Sequence, residues 1–114
     1  MRPAPDYLRH ILDACDRIAS YLTGQNLQTF MENHMLQDAV IRQLEIIGEA
    51  SKYALDAAPF STLDFSTITD DLHTAYGMRN VLIHGYFGVD AEIVWHTATE
   101  SIPALAQQIR EILG

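Results

Sequence analysis

The chain has 114 residues, 48% hydrophobic and 19% charged, a globular composition with room for one domain over residues 1–114. Seven Lys+Arg stand against 15 Asp+Glu, a formal charge of −8, which excludes a broad cationic footprint for nucleic acid but not a local basic site on an acidic surface. A lone cysteine, Cys15, excludes a disulfide framework, and there is neither an apolar run of about 18 residues nor a charged-then-apolar leader, so a soluble, cytoplasmic chain with no membrane contact is expected.

Leu8, Ile11, Leu12, Cys15, Ile18 and Leu22 recur at three- and four-residue spacing and predict an amphipathic helix over 6–22. Pro5 suits its first turn and Gly24 its stop. His10 and Cys15 read as edge residues of this packed face. Residues 26–33, with Leu27, Phe30 and Met31, read as a short helix or a packed connector.

The longest pattern follows at 34–57, where Leu36, Val40, Leu44, Ile47, Ala50 and Ala54 keep helical spacing. Ile41, Ile46, Gly48 and Ser51 widen the stripe, and a helix apolar on two sides packs against two partners. Gly48 costs about 1 kcal/mol relative to alanine in a helix interior, a cost that a close helix–helix approach there would offset. Glu45 and Glu49 share a helical face, but no nearby histidine or third acid completes a metal set; they read as a solvated edge beside Arg42 and Lys52.

Residues 58–66, with Pro59, Ser61, Asp64 and Ser66, are the one clear loop, and Thr67 followed by Asp70 resembles a capping box. Ile68, Leu72, Ala75, Tyr76, Val81 and Leu82 then predict a helix that ends near Gly85. Gly88-Val89-Asp90 caps a last helical region, in which Pro103 must either kink the helix or open a new one. His96 and Glu100 are spaced to pair on that helix, and Trp95, Phe87 and Tyr76 read as core or interface. No segment alternates at period two. The expectation is all-α: an antiparallel bundle of four to five helices, with no metal and no cofactor.

One stretch concentrates chemistry. Arg79-Asn80-Val81-Leu82-Ile83-His84-Gly85-Tyr86 places a permanent cation, a base that titrates near neutrality and a phenol within eight residues. On an ideal helix Arg79 and His84 are about 140° and 7.5 Å apart, so they do not share a face. Either the helix ends between them, or each meets partners from elsewhere; a two-fold dimer would gather two copies of the stretch around one cleft. Arginine forks onto phosphate oxygens and histidine moves protons, a combination that suits cleavage of an RNA phosphodiester through its 2′-hydroxyl. Taken alone, the pair also fits a surface ion pair and a helix-end cap.

The stretch resembles the R-x-x-x-x-H motif of HEPN-domain ribonucleases and, with Tyr86, the longer R-x-x-x-x-H-x-Y form of HepT-type toxins. Arg9-His10-Ile11, Asp38 to Arg42, Leu44 to Ala50, Gly77 to Asp90, Trp95 and Pro103 match the same family in order; the segment from Pro59 to Phe65 departs from the Pro-x-x-Pro-Trp type found in many relatives. The resemblance implies a HEPN-like homodimer with the motif at the dimer cleft, acting as a metal-independent endoribonuclease toxin on RNA. It implies a minimal nucleotidyltransferase antitoxin as partner, able to transfer AMP onto Tyr86. Arg79 and His84 become the catalytic pair, and Asn80 a residue that orients Arg79 or binds substrate. The rival reading is a non-catalytic helical partner, the substrate-binding subunit of a nucleotidyltransferase.

Overall fold

The computed structural model describes residues 2–85 and 88–114. Among the described residues six α-helices follow one another: α1 (Ala4–Leu22), α2 (Leu27–Met31), α3 (His34–Ala57), α4 (Thr69–His84), α5 (Ala91–His96) and α6 (Ile102–Leu113). A 3₁₀ turn, Ala58–Phe60, extends α3, and a π turn, Thr97–Ser101, joins α5 to α6 into one arm. Among the described residues there is no strand, so the all-α expectation holds.

The breadth of the apolar stripe on α3 explains its position: it packs against α1 on one side and α4 on the other. Leu8, Ile11 and Ile18 of α1, Val40 and Ile47 of α3, Leu72 of α4 and Ile109 of α6 are all but inaccessible to solvent. Burying each such side chain contributes about 1.5–3 kcal/mol. Tyr7, at the start of α1, stacks on Tyr53, near the end of α3, with centroids 5.6 Å apart, which sets these two helices antiparallel. Phe30 of α2 is buried against Trp95 of α5 at 5.3 Å, so Trp95 belongs to the packing.

Caps define most boundaries. Asn26, Asn33 and Asp90 side chains accept backbone N–H bonds at the starts of α2, α3 and α5, and Gly24 takes a φ of 76° after α1. The expected Thr67–Asp70 box does not form. Helix α4 begins at Thr69 with no side-chain cap, and its entry is held by buried Phe65 and Ile68 and by the Thr69 hydroxyl donating to the Phe65 carbonyl. Before it, the Ser66 N–H donates to the Asp64 carboxylate at 2.9 Å, and the Ser66 backbone and hydroxyl hold that carboxyl below its usual range. Pro103 opens α6 in its first turn. It has no N–H for the Thr99 carbonyl, and the preceding turn widens until Ile102 N–H reaches Thr97 O.

The reading of α4 needs one correction. Its apolar spacing put Val81 in the packed stripe, yet Val81 is 67% exposed and Ile83 is 41% exposed. Only Leu72 and Leu82 of this helix are buried, so α4 turns aliphatic surface outward beside the focal stretch.

Cys15 lies in the core, where burial and the neighbouring Asp16 carboxylate push its thiol up to about 12. The thiolate is therefore scarce at neutral pH, and alkylation must wait for unfolding. The labelling rate of native protein at pH 8 is expected to rise as stability falls across a urea series. Because the folded thiol holds its proton to higher pH than the unfolded one, its contribution to stability is lost as pH rises above about 8.5.

Candidate active site

Helix α4 runs unbroken from Thr69 through His84 and ends when Gly85 N–H closes onto the Val81 carbonyl at 2.8 Å. The helix therefore does not end between Arg79 and His84. Arg79 leans onto α3, whereas His84, the last helical residue, is exposed. Within one chain the two side chains do not share a face, as their spacing of about 140° requires.

Arg79 is held from three sides. Its Nη2 lies 2.9 Å from Glu49 Oε2 on α3, its Nη1 donates to Asn80 Oδ1 at 2.9 Å, and its guanidinium sits 5.9 Å from the Tyr76 ring centroid. The ion pair is part-exposed, so by itself it adds at most about 1 kcal/mol; its effect is to aim the fork. Gly48 makes the approach possible. A Cβ there would lie 2.2 Å from Arg79 Cβ and 2.7 Å from the Ala75 carbonyl oxygen, so only glycine lets α4 come this close. The cost of glycine within α3 is thus met by the helix–helix approach its position suggested.

A cleft of about 780 Å³ opens where Arg79 meets α1 and α3. Arg2, Arg17, Arg42 and Arg79 line it, together with Asp13, Glu45 and Glu49. Four of the seven cations are gathered here with three of the fifteen acids, which leaves three cations against twelve acids elsewhere (seven less four, fifteen less three). A local basic site on an acidic chain is what the composition left open. Tyr7, His10, Tyr53 and Ile83 complete its walls.

A family model described as ribonuclease HepT-like matches residues 11–112. The chain belongs to the HepT-like ribonuclease family. A relative from Caldanaerobacter subterraneus subsp. tengcongensis that carries the name of an RNase is 36% identical, covering 99% of this chain and 96% of its own. One from Thermococcus cleftensis, named for ribonuclease HepT, is 35% identical over 97% and 96%. One from Methanocaldococcus jannaschii, again with an RNase name, is 31% identical over 95% and 94%. No solved structure matches the chain.

Set on this HepT-like chain, the motif residues divide. Arg79 and Asn80 touch each other beside the cleft, His84 stands apart at the helix end, and Tyr86, like Phe87, lies outside the described residues. Two neighbours take part that their spacing does not single out. The spacing puts Glu49 on a solvated edge with Glu45; Glu45 does pair with Arg42 at 3.6 Å, but Lys52 goes to Asp56 and Glu49 reaches across to Arg79. Tyr76, expected in the core or an interface, is half-buried beneath the Arg79 guanidinium. The available hint was Gly48, since a glycine that lets another helix touch α3 also brings that helix against the next residue. His96 pairs with Glu100 at 2.8 Å, as spaced. Among the described residues no three His, Cys, Asp or Glu side chains are grouped to hold a metal ion, and no helix is long and apolar enough to cross a membrane.

Proposed function

We propose that this chain is a metal-independent endoribonuclease, the toxin of a toxin–antitoxin pair, with a site that forms where two copies meet. The observation that carries this reading is the placement of Arg79 and His84 on one unbroken helix, on different faces, with Val81 exposed beside them. One chain supplies the cation and the base separately. A two-fold contact through the end of α4 would bring the Arg79 of one copy to His84 of the partner subunit and cover the aliphatic surface.

In that cleft the His84 imidazole removes the 2′-hydroxyl proton, and the 2′ oxygen attacks the adjacent phosphorus. The 5′ oxygen leaves with a proton from the imidazolium, giving a 2′,3′-cyclic phosphate and a 5′-hydroxyl. Arg79 neutralises the charge that grows on the non-bridging oxygens, with Glu49 and Asn80 positioning its fork. The partner is a small nucleotidyltransferase. It transfers AMP from ATP to the Tyr86 hydroxyl, two residues beyond His84 in sequence, with release of pyrophosphate, and the added phosphate charge opposes RNA binding.

Purified protein incubated with single-stranded RNA and a chelator is expected to release fragments ending in 2′,3′-cyclic phosphate, with His84→Ala slower by about 10²- to 10⁴-fold. Equal trace cleavage by both would sink the proposal and leave a non-catalytic helical partner. Mass spectrometry after co-expression with a neighbouring nucleotidyltransferase tests the control step: an unmodified Tyr86 peptide removes it.

A further inference from the structure

We infer that the end of the cleft lined by Arg17 and Arg42 is a backbone subsite, gripping phosphates of the RNA strand that flanks the cleaved bond. This rests on the ribonuclease reading above, and adds to it a groove within each chain that leads to the Arg79 of the shared pair.

The geometry comes from helix spacing. Arg42, Glu45, Glu49 and Tyr53 follow one face of α3, and all line the cleft. Arg42 lies seven residues before Glu49, the partner of Arg79, which is about 10.5 Å along the axis. Because α1 runs antiparallel to α3, Arg17 falls at the same end of the cleft as Arg42, while Tyr7 and Tyr53 close the other. The cleft thus carries Arg2 beside Tyr7 at one end, Arg79 in its middle, and Arg17 with Arg42 at the other end, the arrangement of a track for successive phosphates.

Arg17 and Arg42 are both available. Arg17 is exposed, and the Arg42 side chain is 69% exposed with a loose contact of 3.6 Å to Glu45. An exposed pair of this kind is weak, so a phosphate can displace the carboxylate easily. Asp13 and Glu45 are the acids facing this end. They shorten the reach of the positive field and confine binding to a strand that enters the groove. On a chain of charge −8, that confinement disfavours non-specific adhesion along a duplex. RNA is favoured over an acidic protein segment because the track leads to Arg79, which lines the same cleft.

The test is binding of a 2′-O-methyl RNA 12-mer, which cannot be cleaved through a 2′-hydroxyl, measured by fluorescence anisotropy across a salt series. Arg17→Ala and Arg42→Ala should each weaken binding on the order of tenfold at low salt and reduce the log–log salt slope by about 0.7. Lysine at either position should restore most of the slope, and circular dichroism should be unchanged because both side chains are exposed. On cleavable RNA, KM should rise by more than kcat falls. Unchanged RNA affinity in the double variant overturns the inference, as does failure of the wild-type chain to bind the 12-mer. Loss of binding to the nucleotidyltransferase with RNA affinity intact also overturns it, and reassigns the groove to a protein partner. Binding lost with the arginines while wild type and His84→Ala cleave equally would retain the subsite and remove the ribonuclease reading.

Discussion

A refolded one-to-one mixture of Arg79→Ala and His84→Ala chains is expected to regain RNA cleavage that neither variant shows alone. Arg79 and His84 stand about 140° apart on a single helix, and the proposed site therefore draws one of them from each chain. In a mixed dimer one cross-chain pair is intact and the other has lost both members. With random assortment, half the dimers are mixed and recovery should approach about a quarter of the wild-type rate. Each homodimer should remain lower by about 10²-fold or more, since each lacks either its proton carrier or its charge clamp in both pairs. A mixture no more active than its components would mean that the pair does not act across chains. Sedimentation of the same samples would show whether a dimer formed at all, which separates a failed geometry from a failed assembly.

The second large effect is on stability. Gly48→Ala should lower unfolding free energy by about 2 kcal/mol, the overpacking penalty exceeding the gain of about 1 kcal/mol in helix propensity. In a domain of this size the melting temperature would drop by roughly 10 °C. The new methyl would lie 2.2 Å from Arg79 Cβ and 2.7 Å from a backbone carbonyl oxygen, neither of which can swing away like a side-chain tip. Helices α3 and α4 must therefore separate, and the 2.9 Å contact between Arg79 and Glu49 goes with them, so cleavage should fall beyond the loss of folded protein. Gly77→Ala is the control. A Cβ at Gly77 meets nothing within 4 Å, and alanine there should raise stability by about 0.5–1 kcal/mol. If both substitutions shift the melting temperature equally, close approach at Gly48 is not what glycine provides.

The positions of the helices were legible because apolar spacing and caps are local properties. The span 34–57 is that of α3, Asp90 starts α5, Gly85 follows the end of α4, and Pro103 opens α6. The entry to α4 was not legible, because buried Phe65 and Ile68 anchor it more strongly than the hydroxyl of Thr67 could, and their burial depends on distant helices. The exposure of Val81 has the same cause. Spacing marks a residue as apolar on a face, and only the neighbours decide whether that face is covered.

For the focal stretch, the sequence alone determined the order and spacing of Arg79, Asn80 and His84, while the structure decided that one unbroken helix carries them all. The sequence also determined kinship with the HepT-like ribonucleases, which the match over residues 11–112 shows. Tertiary structure decided what surrounds Arg79. Glu49 is thirty residues away along the chain and became its partner because Gly48 lets two helices touch. The basic cleft was likewise invisible in a net charge of −8, since charge adds over the whole chain while a field depends on which side chains the fold gathers.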